Sequence, residues 1–190
     1  CWRPLVDDNP HYGYYKNNPE WHMYGKPEYP SHRDLIDARD RMVAAHPGLR
    51  IVGAHFGSLE FDVREVAKRL DQYPNFAVDT SARLADLTYQ DVETVRAFFH
   101  DYSDRILWGT DIVLGDLNAG SDTPEEKVRE RVAWSRERWE SEFAYYASDG
   151  DVDVRGRRVP GLALPEDILQ KIQTGNALAW YPGLRRTGAA

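Results

Sequence analysis

The sequence predicts an α/β fold in which parallel strands alternate with helices. Three observations carry this. Stretches 49–55, 76–79 and 105–110 are nearly all apolar, as strands covered on both faces are. They recur about every 25 to 30 residues with helix-like sequence after each, the rhythm of βα units. Two of them share one plan, a buried run that passes through glycine to a polar side chain: Arg50-Ile51-Val52-Gly53-Ala54-His55 and Arg105-Ile106-Leu107-Trp108-Gly109-Thr110-Asp111. Right-handed crossovers would bring all three strand ends to one face of the sheet. Catalytic residues of parallel α/β enzymes sit there.

Residues 1–30 have no hydrophobic period and are rich in Pro, Asn, Tyr and Trp. They read as a long aromatic loop, a lid or binding wall. The chain opens on Cys1 with no Met, and Trp2-Arg3-Pro4-Leu5 looks like the middle of a domain, so a cut inside a longer protein is expected. A helix should start at Ser31, with Asp34 closing a capping box. Leu35, Met42 and Val43 give its apolar stripe, and His46-Pro47-Gly48 stops it. After the first strand, Ser58 should cap a helix that buries Leu59, Val63, Val66, Ala67 and Leu70. Tyr73-Pro74-Asn75 turns into the second strand. A helix over about 90–102 carries Val92, Val95, Phe98, Phe99 and Tyr102. Thr123-Pro124-Glu125-Glu126 opens a long helix with Val128, Val132, Ser135, Trp139, Phe143 and Tyr146 on one face. Residues 148–161 form a polar loop or small hairpin. Leu164-Pro165-Glu166-Asp167 opens the last helix, and the tail after Gly183 frays.

Composition narrows the function. The net charge of −7 argues against nucleic acid, which needs clustered Lys and Arg. The one basic cluster, Arg155 to Arg158, reads as a solvated loop. A single cysteine cannot form an internal disulfide and suits a reducing compartment, so the reading is cytoplasmic. No apolar run approaches the roughly 18 to 20 residues of a membrane span. No P-loop, dinucleotide fingerprint, Cys-x-x-Cys, zinc-protease helix or Gly-x-Ser-x-Gly elbow occurs.

The strand ends supply the candidates. His55 can transfer protons or bind a metal, although a strand-end His is as often tied to a loop. Asp111 can hold a divalent cation and orient bound water, or cap the next turn. Asp79 is weaker, because Asp79-Thr80-Ser81 is equally a polar turn. Arg83 could clamp a substrate carboxylate, or make a surface ion pair. Trp21 and His22 could line a pocket. His46 reads as a helix stop, His32 and His100 as surface residues, and His11 as part of the aromatic loop.

The segments Gly53-Ala54-His55-Phe56-Gly57-Ser58-Leu59-Glu60, Pro74-Asn75-Phe76-Ala77-Val78-Asp79 and Asp104 to Asp111, with Gly175-Asn176-Ala177 near the end, resemble the amidohydrolase-related family. The branch is the amidohydrolase 2 group, which includes aminocarboxymuconate-semialdehyde decarboxylase. The match covers most of 31–182, and Asn17 to Tyr24 is similar to its metal-dependent hydrolases. The resemblance implies a TIM (β/α)8 barrel with a divalent metal, usually zinc. The family pattern is His-x-His on the first strand, a His on the fifth, a His on the sixth and an Asp on the eighth. His55 matches the sixth-strand His and Asp111 the eighth-strand Asp. By that match both are catalytic and metal-binding, with the His serving as acid or base in decarboxylating members. The departure is that His-x-His occurs nowhere in this chain.

The expectation is therefore a single domain over 1–190, a partial barrel of roughly the last three βα units. It comprises the aromatic loop at 1–30, βα units over 31–147 and a terminal loop and helix over 148–190. The expected activity is metal-dependent hydrolysis of an ester or amide. Non-oxidative decarboxylation of an aromatic or unsaturated acid is the rival. A catalytically incomplete binding module that uses the aromatic loop is the third reading. The expected partner is a small anionic or aromatic substrate, with no nucleic acid and no membrane. Homo-oligomer formation stays open.

Overall fold

Three short strands form a parallel sheet, as the apolar stretches predict. In the computed structural model of the chain, which describes residues 2–112 and 123–184, they are β1 (Ile51–Gly53), β2 (Phe76–Asp79) and β3 (Ile106–Leu107). The order is β1-β2-β3, with Val52 opposite Ala77 and Val78 opposite Ile106. The strands are shorter than their apolar stretches. Leu49 stays 58% exposed in the turn before β1, and the backbone leaves β1 at Ala54 in a left-handed turn. Beyond β3, the Trp108 N–H donates to the Ile172 carbonyl at 2.9 Å, so a helix covers that edge of the sheet.

The helices follow their caps. In α2 (His32–Ala45) Ser31 and Asp34 make the reciprocal capping box. Its buried residues are Ile36 and Val43, whereas Leu35 and Met42 are exposed, so the inward face is centred one residue away from the expected stripe. Helix α3 (Val63–Gln72) starts at Asp62, whose side chain accepts from the Arg64 N–H at 3.0 Å. Ser58 is not its cap, because Ser58 belongs to the left-handed turn. Val63, Val66 and Leu70 are buried as the period requires. A single unforeseen turn, α4 (Leu84–Leu87), follows β2 and is wholly buried. Helix α5 (Val92–Asp101), capped by Asp91, buries Val95, Phe98 and Phe99.

The long α6 (Pro124–Ala147) starts on the foreseen Thr123–Glu126 box. Its apolar face is only half used. Val128 and Val132 are exposed, and burial begins at Ser135 and centres on Glu142, Tyr145 and Tyr146. Residues 148–161 resolve into an antiparallel hairpin of β4 (Asp151–Val154) and β5 (Arg157–Pro160). The last helical stretch has three parts: α7 (Glu166–Gln170), a π-helical turn at Lys171–Gly175 and α8 (Asn176–Trp180). The core joins Phe56, Phe76, Phe99, Leu70, Ile106 and Tyr146, drawn from the sheet and from α3, α5 and α6.

The N-terminal segment is more ordered than a loop. It carries α1 (Tyr12–Asn17) and a 3-10 turn at Pro19–Trp21. Trp2 Nε1 donates to the Pro30 carbonyl at 3.0 Å, and His22 Nε2 lies 2.9 Å from the Arg3 carbonyl. Aromatic rings and short polar ties hold this stretch in place without a buried apolar face of its own. Among the described residues no helix is long and apolar enough to cross a membrane.

Candidate functional site

The end of β1 builds the first part of the site. His55, Phe56, Gly57 and Ser58 all have positive φ, between 52° and 64°. Consecutive left-handed residues are costly for L-amino acids, about 1–2 kcal/mol each for the non-glycines. Three anchors hold them there. The Asp79 Oδ1 accepts the His55 N–H at 3.0 Å and the Ser81 N–H at 3.1 Å. The Phe56 ring is fully buried beside Phe98 and Phe99. The Arg39 guanidinium donates to the Gly57 carbonyl. Asp79 is therefore the brace of a polar turn and is not among the residues lining the cleft.

The brace aims the imidazole. His55 Nδ1 lies 2.7 Å from the Ser81 carbonyl, which can only accept, so Nδ1 carries the proton. Nε2 is left with its lone pair to take a proton or bind a cation. Gly109 lets the β3 end pass this close. A Cβ there would sit 3.1 Å from Asp79 Cγ and overlap Ser81 Oγ. Two residues on, Asp111 is exposed and has φ 50°.

His55, Asp111, Arg83 and Trp21 line one cleft of about 830 Å³. His22 is outside its lining; its ring is bonded to the Arg3 carbonyl and stacks loosely between Tyr15 and Tyr24. Arg83 is already partly engaged, with Nε 3.3 Å from Glu60 Oε1 and both side chains mostly buried. The far Glu60 oxygen, Oε2, is buried without a hydrogen-bond partner. Tyr15 completes the wall, and burial raises its pKa, with the Arg83 charge opposing.

The structure adds residues that local sequence gave no reason to choose. His11 lines the same cleft, and its Nε2 meets the buried Asp86 Oδ2 at 2.7 Å. Arg3 Nη1 approaches the other Asp86 oxygen at 3.6 Å. Residues 155–158 are exposed as expected, and Arg155 also reaches the rim of the cleft, because β4 packs against α6. Arg131, Trp134 and Arg138 reach it from α6. The i, i+3, i+7 spacing of Arg131, Trp134 and Arg138 places them on one face of α6.

The amidohydrolase family model matches residues 9–183. The chain belongs to the amidohydrolase family. Searches of the curated proteins and of the solved structures gave no match. The amidohydrolases of this family are metal-dependent hydrolases and decarboxylases built on a TIM-barrel-like α/β fold.

A metal suited to this amidohydrolase would need several ligands held close together. His55 Nε2 and Asp111 are donors of the right kind, nitrogen and carboxylate oxygen. They are too few, since a catalytic zinc takes about three protein ligands. Among the described residues no group of three or more His, Cys, Asp or Glu is placed to hold an ion. The described residues alone do not fit a metal centre.

Proposed function

We propose that this chain is the C-terminal part of an amidohydrolase barrel and carries the proton-transfer and substrate-binding side of its active site. The reaction we assign is hydrolysis of an ester or amide on a small anionic, aromatic substrate. One observation carries the reading: His55 is fixed through Nδ1, so its free Nε2 points the base at a cleft it shares with Asp111 and Arg83. In this role His55 moves the proton, Arg83 meets a substrate carboxylate, and Tyr15 and Trp21 wall the ring. A divalent cation, zinc by resemblance, would take Asp111 and His55 together with ligands from outside the described residues. The edge position of β1, with β2 as its strand neighbour, supports a barrel that continues beyond β1.

A specific observation favours the decarboxylase as second reading. Four arginines and one carboxylate line the cleft among the described residues, a surplus that collects acids. The chain is tested with aromatic esters, amides and acids, as purified and after zinc addition. Acid or amine products support hydrolysis, carbon dioxide release transfers the site to decarboxylation, and neither product sinks both. His55→Ala should lower the rate by about 10²-fold or more. Wild-type rates in both His55→Ala and Asp111→Ala would remove the site assignment.

A further inference from the structure

The wall of the cleft made by α6 and the β4–β5 turn has a feature that the proposed reaction leaves unused. Arg138 Nε donates to Glu142 Oε1 at 3.1 Å, and Trp108 Nε1 donates to Glu142 Oε2 at 3.1 Å, so each oxygen of that carboxylate already holds a donor. Arg138 Nη2 is buried and has no hydrogen-bond partner. Arg155 shares the cleft wall with it from an exposed position in the hairpin turn. Partial burial, and next the charge of Arg138, lower the Arg155 pKa, with the Glu142 and Asp86 carboxylates opposing. Trp134 fixes the approach, with the guanidiniums of Arg131 and Arg138 at 5.1 and 5.4 Å from its ring centroid.

Two guanidiniums that share a wall repel each other, and a buried N–H without an acceptor is unfavourable. An oxyanion between them answers both, because a planar carboxylate accepts from two guanidinium forks at once. We propose that Arg138 and Arg155 form a second anion subsite in this cleft, so that its ligand is a small aromatic dianion. One acidic group meets Arg83 near His55, the other meets Arg138 and Arg155, and the ring lies against Tyr15 and Trp21. The inference rests on the proposed function only in taking this cleft as the substrate site.

The probes are benzoate, with one carboxylate, and isophthalate, with two. The 190-residue chain is titrated with each at fixed ionic strength, read by calorimetry and by the fluorescence of Trp21 and Trp134. Isophthalate should bind about tenfold more tightly than benzoate. Arg155→Gln should weaken isophthalate about fivefold or more and move benzoate less than about twofold. Arg155→Lys keeps the charge and should retain part of the preference. Arg158→Gln makes the same charge change on the same hairpin, at a residue paired with Asp151 at 3.2 Å, and should leave both affinities unchanged. Equal binding of the two acids, no binding of either at millimolar concentration, or equal losses in the Arg155 and Arg158 variants would overturn the subsite. A chain that binds isophthalate through Arg155 yet turns over no ester, amide or acid keeps the subsite and loses the proposed reaction. Turnover without the Arg155 dependence does the reverse.

Discussion

The βα segment from α2 to β3 and the arm formed by α6 with its hairpin use their apolar residues in opposite ways. In the βα segment Val63, Val66, Leu70, Val95 and Phe99 are each at most 1% exposed. In the arm Val132 is 55% exposed and Trp134 45%, and what α6 buries includes Ser135 and Glu142. The first region spends its side chains on cohesion. The second holds charge in position, with Glu142 gripping Arg138 and Trp134 stacking on two guanidiniums. Most of the cohesion therefore comes from the βα segment and most of the arginine wall of the cleft from the arm, and substitutions should separate the two.

The largest effect belongs to the core. Phe99→Ala should cost about 3–5 kcal/mol in urea unfolding, because a fully buried ring leaves a cavity. An unchanged midpoint would erase the contrast. Gly109→Ala should follow at about 1–3 kcal/mol, since its Cβ meets Asp79 and Ser81 and the turn that aims His55 must shift. Among the described residues, His11→Ala leaves the buried Asp86 carboxylate with Arg3 at 3.6 Å as its ion-pair partner and should cost about 1–3 kcal/mol. It should also loosen the N-terminal segment, which proteolysis near Tyr12 would detect.

The pH response also separates the two ends of α6. Burial holds the Tyr145 and Tyr146 phenols above their ordinary value. A raised folded-state pKa keeps its stabilisation below the unfolded value and loses it as pH rises past it. Unfolding should therefore become easier above about pH 10, and Tyr146→Phe should flatten that loss. The smallest effect lies at the exposed end, where Val132→Ala should change stability by less than about 0.5 kcal/mol.

What could be read from sequence was whatever local chemistry decides. The Ser31–Asp34 and Thr123–Glu126 boxes, the faces of α3 and α5 and the parallel strand ends all follow from neighbours within one or two turns. That His55 and Asp111 lie at the ends of apolar runs is legible for the same reason, and both line the cleft. Ser58 was misread as a cap because its serine chemistry fits a helix start, while Asp79, Arg39 and Phe56 pull that segment into a left-handed turn. The exposure of Leu35 and Val132 depends on which neighbours arrive, and periodicity does not contain that. His11 and Arg155 reach the cleft through contacts with Asp86 and through the fold of the hairpin, far away in sequence, so no local pattern marks them.

Among the described residues the two rims of the sheet differ. Just beyond β3 the π-helical turn lends the Ile172 carbonyl to the Trp108 N–H. At β1 the order of described strands ends on the strand itself. One rim is thus fastened by a turn from far along the chain, which ties the last helical stretch to the strand that leads to Asp111.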